Sequence, residues 1–143
     1  MALVAAGIAN DGAVPEPYLV TRLVDSQGNV SNEAEPETWR EAINPSTAAL
    51  LREAMVGVVD GGTAQGLQTP GLVVGAKTGT AQLASGVDAT HAWIIAFAGE
   101  TVLQPDFAVA VIVEADPEIG EQTGGRVAGP VAKAMIDAWA AEQ

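Results

Sequence analysis

The sequence predicts an α+β fold, a three-stranded antiparallel meander packed with helices, on three observations. Apolar, strand-length segments at 72–82, 92–98 and 107–114 follow one another across short, turn-rich connections, the spacing of an antiparallel sheet. The stretch from Pro45 to Asp60 repeats apolar residues at helical spacing between an N-cap signal and a glycine stop. A second such stretch closes the chain after Thr123-Gly124-Gly125.

The elements follow in order. Met1-Ala-Leu-Val-Ala-Ala-Gly-Ile-Ala9 has no basic residue ahead of its apolar run, so it reads as a helix and not as a signal peptide. No N-cap residue precedes it, and the helix is expected to be cut mid-run. Asn10-Asp11-Gly12 ends it with residues that tolerate left-handed backbone. Val14-Pro15-Glu16-Pro17 is extended, and residues 18–24 have strand propensity. The turn cluster Asp25-Ser26-Gln27-Gly28-Asn29 leads back to Val30, which predicts a hairpin. Residues 31–37 are acidic and polar and read as an exposed connection; the acidic stretch 33–41 is a solvated face.

Asn44 is placed to cap the next helix, with Pro45 preorganised at its first position. Leu50, Leu51, Ala54, Met55, Val58 and Val59 form one apolar stripe, the expected buried face. Asp60-Gly61-Gly62 stops it. In the last helix Val127, Val131, Met135, Ala138 and Trp139 share a side, and Pro130 falls in the first turns, where a missing N–H costs least.

Composition narrows the function. The 143 residues suffice for one domain with a real core and contain no internal repeat. A net charge of −12 with six scattered basic residues argues against nucleic acid. The absence of cysteine removes disulfides, thiolate chemistry and cysteine zinc sites, and fits an extracytoplasmic protein. His91 is the single histidine, so neither a histidine metal cluster nor a Ser-His-Asp triad with a spare imidazole is available; no cofactor or metal is expected. His91 reads as a hydrogen-bonding residue at a strand start, and Trp39, Trp93 and Trp139 read as packing residues. No apolar run approaches the length that spans a bilayer.

One segment carries chemistry: Gly71-Leu-Val-Val-Gly-Ala-Lys-Thr-Gly-Thr-Ala-Gln82. After an apolar half, it places an ammonium, two hydroxyls and a glycine in four consecutive positions, Lys77 to Thr80. On a sheet edge Lys77 supplies positive charge, Thr78 and Thr80 supply hydroxyls, and Gly79 leaves the backbone open to a ligand. Unpaired edge N–H groups then suit a developing oxyanion. A phosphate-binding loop differs by one residue, but it needs flexible residues before the lysine and a helix after it. Here Leu-Val-Val precedes, and Gly79, Ser85 and Gly86 follow without helical periodicity. A solvated strand lysine between ordinary β-forming threonines is the bland alternative.

Context decides against the bland reading. Residues 1–12 resemble the helix and turn that penicillin-binding transpeptidases place before a small hairpin. Residues 51–64 resemble their helix ending in a Gly-Thr-Ala turn. Lys77-Thr-Gly-Thr-Ala81 resembles their third active-site motif, and His91-Ala-Trp-Ile-Ile-Ala-Phe-Ala98 the next strand. The resemblance covers nearly the whole chain in the family's order. It implies the C-terminal part of the penicillin-binding/serine β-lactamase-like fold, an incomplete domain over residues 1–143.

The resemblance implies a D,D-transpeptidase of peptidoglycan cross-linking. A serine attacks the penultimate D-Ala carbonyl of a stem peptide, an amine resolves the acyl-enzyme, and β-lactams acylate the same serine. Lys77 and Thr80 are the implied catalytic residues: Lys77 for the polar network, and the Thr80 N–H for half of the oxyanion hole. Thr78, Gly79 and Thr80 are the implied substrate-binding residues, the hydroxyls receiving the carboxylate. The family's Ser-x-x-Lys is absent, because Val74 and Pro130 stand three positions before the two lysines. Ser-x-Asn is absent too: Gly28, Glu33, Ala48 and Val87 stand two positions after Ser26, Ser31, Ser46 and Ser85. The chain is therefore expected to be inactive alone. Expected partners are the N-terminal half of the domain, stem peptide and β-lactams in the complete enzyme, and a second copy through exposed apolar surface. The implied location is the extracytoplasmic face of the cell membrane, the anchor lying outside this sequence. Two alternatives are a noncatalytic module of the same fold and a serine β-lactamase fragment, the latter poorly matched by Thr-Ala after Lys-Thr-Gly.

Overall fold

The computed structural model describes the chain except for residues 83–88, 117, 119 and 121. Ser85 and Gly86, cited against a phosphate loop, lie outside the described residues. The apolar opening forms helix α1 (Ala2–Ala9), which stops where Asp11 and Gly12 take φ of 49° and 92°. Gly12 is doubly required, since a Cβ there would also lie 1.9 Å from the Ile43 carbonyl oxygen. Strand β1 (Ala13–Pro15) follows, then β2 (Arg22–Val24), β3 (Val30–Glu33) and β4 (Thr38–Glu41).

β2 and β3 form the expected antiparallel hairpin. Its turn is organised by Asp25, whose carboxylate accepts from the Gln27 N–H at 2.8 Å, the Asn29 N–H at 2.9 Å and the Asn29 side chain at 2.9 Å. The return limb differs from expectation. Part of the polar stretch is strand, and β4 pairs antiparallel with β1, Val14 opposite Arg40. That pairing joins segments with no alternating pattern of their own.

Helix α2 (Pro45–Asp60) starts as its sequence dictates: Asn44 Oδ1 accepts from the Thr47 N–H at 2.8 Å, with Pro45 at the first position. Its buried stripe is Ala48, Arg52, Met55 and Val59; of the expected stripe Met55 and Val59 are buried and Val58 is half-buried, whereas Leu50 is 67% exposed, and Leu51 and Ala54 are exposed too. The cause is Arg52, 3% exposed, which turns inward to end α1. Its Nη1 donates to the Ile8 and Ala9 carbonyls at 2.9 and 3.4 Å, and its Nη2 to Asp11 at 2.7 Å. A cation on the last carbonyls of a helix satisfies orphan acceptors and opposes the negative end of the dipole.

After a 3₁₀ turn (Gln65–Leu67) come β5 (Val73–Gln82), β6 (Thr90–Gly99) and β7 (Phe107–Val113), antiparallel in the order β5-β6-β7 as predicted. One face packs Val74, Ala76, Ile94, Ala96, Val109 and Val111 against the chain's C-terminal helix. The other packs Ile95 and Phe97 against α1 and Met55 of α2. Phe97 is fully buried over Gly75, where a Cβ would lie 2.1 Å from the ring.

One turn of π-helix (Gly124–Ala128) leads into α3 (Gly129–Ala140), with Pro130 in its first turn. The buried face is Ala128, Gly129, Ala132 and Ile136, whereas the expected Val131 and Met135 are 45% exposed. Small residues let the helix backbone lie close on the sheet, and this outweighed the bulk of the neighbouring apolar positions. Trp139 packs as expected, stacked on Phe107 with ring centroids 5.3 Å apart. Trp39 does not: it is 59% exposed, with the Arg40 guanidinium 5.7 Å above its ring.

Candidate functional site

The Lys-Thr-Gly-Thr run occupies the second half of β5, which has β6 on one side and, among the described residues, no strand on the other. Strand alternation divides its residues between the two sheet faces. Lys77 lies opposite Ile95, and Gly79 opposite Trp93, on the face that α1 partly covers. Thr78 lies opposite Ile94, and Thr80 opposite Ala92, on the α3 face. Lys77 and Thr80 are exposed, and Thr78 and Gly79 half-buried. The run thus meets at a rim and not on one face.

The side chains of the run are held differently. Lys77 Nζ donates to the Thr78 carbonyl oxygen at 2.6 Å, which keeps the ammonium along the strand edge. The Thr78 hydroxyl lies 2.8 Å from that of Thr63 in the turn after α2. At Gly79 a Cβ would come within 3.3 Å of the Trp93 Cβ, so glycine here leaves room beside the half-buried indole.

The π-helical turn completes this corner. A Cβ on Gly124 would stand 2.0 Å from the Trp93 carbonyl oxygen and 3.0 Å from that of Gly79. A Cβ on Gly125 would stand 2.4 Å from the Thr63 carbonyl oxygen and 3.7 Å from Thr78 Cγ2. Two consecutive glycines therefore let the backbone close over the paired β5 and β6 strands beside the threonines. Thr123-Gly124-Gly125 is thus more than the helix boundary its sequence suggests, and Thr63 joins the corner from the Gly-Thr-Ala turn, its one signal in the sequence.

His91 takes its expected structural role, its Nδ1 accepting from the Ala115 N–H at 3.0 Å. Among the described residues no group of three or more His, Asp or Glu is placed to hold a metal ion. A groove of about 580 Å³ runs between α2 and the start of β5, lined by Val56, Asp60, Gln68, Pro70 and Leu72. It lies at the apolar end of the strand, away from Lys77 to Thr80, and does not contain the run.

The profile of the penicillin binding protein transpeptidase domain matches residues 1–137. The chain belongs to the penicillin-binding transpeptidase family. Within that family, peptidoglycan D,D-transpeptidase PbpA of Mycolicibacterium smegmatis is 40% identical over 139 residues, which are 96% of this chain and 28% of the relative. PbpA of Mycobacterium tuberculosis is 39% identical over 138 residues, 94% of this chain and 27% of the relative. Penicillin-binding protein A of M. tuberculosis, solved as a ceftriaxone acyl-enzyme, superposes with a TM-score of 0.82 at 36% identity, over 96% of this chain and 31% of that structure. Its penicillin G acyl-enzyme gives 0.78 at 37% identity, over 99% and 31%. The chain thus spans less than a third of the length of these relatives.

Proposed function

We propose that these residues are the C-terminal part of a peptidoglycan D,D-transpeptidase domain and supply the Lys-Thr-Gly-Thr wall of its active site. The observation that carries this reading is the second half of β5, polar and accessible at an open sheet edge, in a chain about 40% identical to PbpA transpeptidases. Lys77 gives the site its positive charge. The Thr78 and Thr80 hydroxyls receive the carboxylate of a stem peptide or β-lactam. The Thr80 N–H provides half of the oxyanion hole, and the nucleophilic serine's own N–H provides the other half. Support comes from the Thr78 carbonyl, which the Lys77 ammonium holds at the rim. Alternate residues of a strand turn their peptide groups to the same side, which favours the Thr80 N–H at that rim.

The serine comes from the remainder of the domain, because no Ser-x-x-Lys occurs in these residues. Its docking surface includes a groove of about 330 Å³ beside α1, lined by Leu3, Val4, Ile8, Trp39, Ile43 and Leu51. Exposed Leu19 and Leu50 add apolar area that a partner would cover. Such an enzyme works on the extracytoplasmic face of the membrane, where its peptidoglycan substrate lies.

A fluorescent penicillin tests the proposal. The chain alone is expected to remain unlabelled and to self-associate in sedimentation. Together with the residues that carry Ser-x-x-Lys, it is expected to give a covalent band. A labelled band from the chain alone would place the nucleophile within it; an unlabelled complete domain would leave a noncatalytic module.

A further inference from the structure

Thr63 has no part in the site as proposed, yet its hydroxyl lies 2.8 Å from that of Thr78. Its backbone is fixed from both sides. Toward α2, the Gly61 N–H donates to the Gly57 carbonyl at 3.2 Å, and the Gly62 and Ala64 N–H groups both donate to the Val58 carbonyl at 3.1 Å. Ala64 is buried in the sheet–helix core, which anchors the far side of the turn. Toward the π-helical turn, Gly125 sits so close to the Thr63 carbonyl that no side chain fits between them. Thr63 therefore stands on a turn held by its neighbours' hydrogen bonds on one side and closely packed on the other.

A threonine hydroxyl has one proton to give and two lone pairs to offer. When Thr78 donates to Thr63, it keeps no proton for a ligand. When Thr63 donates to Thr78, the Thr78 proton is free to point at an anion, and the two bonds polarise in the same direction. A carboxylate at Thr78 selects the second arrangement. We infer that Thr63 is a positioning residue of the transpeptidase site, donating to Thr78 so that Thr78 donates to the carboxylate of the substrate. This rests on the role proposed above for Thr78. Thr63 acts only through that hydroxyl and touches no reacting atom.

The test is a double-mutant cycle in the complete domain, read as the rate of acylation by a fluorescent penicillin, with melting followed for every variant. Thr63→Val is expected to slow acylation about 3- to 10-fold, the size of one net hydrogen bond. Thr63→Ser keeps the donor and is expected to restore the rate to within about twofold. In a Thr78→Val background, Thr63→Val is expected to cost nothing further, because the hydroxyl it serves is gone. Thr63→Ala carries the same cycle if the valine protein does not fold. A Thr63→Val rate equal to the parent, or an equal slowing in both backgrounds, overturns the inference while leaving the proposed function intact. A complete parent domain that does not acylate at all overturns both.

Discussion

The two halves of β5 share one strand and one register with β6 but meet opposite surroundings. From Val73 to Ala76 the side chains are half-buried or buried, and Gly75 is hollowed out to admit the Phe97 ring. From Lys77 onward none is buried, and the side-chain hydrogen bonds of the run go to Thr63 and to the strand's own backbone. The first half spends its side chains on position, so that the second need not. A polar run at a free sheet edge has little packing of its own to hold it; the buried half and the paired register with β6 supply that hold.

Substitutions in each half separate these duties. The largest effect is expected from Thr80→Ala in the complete domain. Loss of one hydrogen bond to a charged group is worth about 1.5–3 kcal/mol, so acylation by a carboxylate-bearing penicillin slows about 10- to 150-fold. The melting temperature stays at the parent value, because the side chain is exposed. An unchanged rate would remove Thr80 from the site, and a large drop in melting temperature would show that the second half also carries structure.

Next comes the same change made on either side of Lys77. Gly75→Ala forces a methyl into the Phe97 ring and is expected to cost about 1–3 kcal/mol in urea unfolding. Gly79→Ala meets only the Trp93 Cβ at 3.3 Å and is expected to cost less than about 1 kcal/mol while still slowing acylation. The reverse order of stabilities would break the contrast between the halves.

The smallest effect lies far from both, in the β2–β3 turn. The Asn29 side chain, followed by the Asn29 and Gln27 N–H groups, holds the Asp25 carboxyl below the usual aspartate range. A depressed carboxyl stabilises the turn above the ordinary aspartate value, and this is lost as pH falls through the lowered one. Acid titration followed by the Gln27 and Asn29 amide resonances should therefore show its midpoint below that of an exposed aspartate. A midpoint at the ordinary value would mean that the turn forms without this carboxylate. The β5 halves should not respond over the same range.

What could be read from the sequence was local. The Asn44-Pro45 start of α2, the Asp25–Asn29 turn and the three strands each announce themselves within a dozen residues, through capping chemistry or apolar pattern. The Lys-Thr-Gly-Thr run was visible because an ammonium, two hydroxyls and a glycine stand in consecutive positions, between flanking segments that resemble one family in its own order. What escaped depended on partners distant in sequence. β1 and β4 pair across more than twenty residues without a pattern in either. Nothing beside Arg52 in the sequence marks it as buried; the carbonyls that hold it belong to Ile8 and Ala9, 44 and 43 positions away. The α3 stripe was assigned to the larger side chains, when close approach to the sheet required the smaller ones. Thr63 had the same difficulty, since its neighbour Thr78 lies fifteen positions away.

The Arg52 contact also bears on how the protein opens. An eight-residue helix such as α1 is too short to persist in water by its own propensity. It borrows persistence from the sheet beneath it and from a guanidinium rooted in a helix twice as long. Releasing α1 would strand a charge inside the protein, with Nε already lacking a partner among the described residues, so Arg52 must leave with it. The two helices are thereby coupled into one cooperative unit. Excursions that bare the α1 face of the sheet, the face on which Lys77 lies, are then rare all-or-none events rather than gradual fraying.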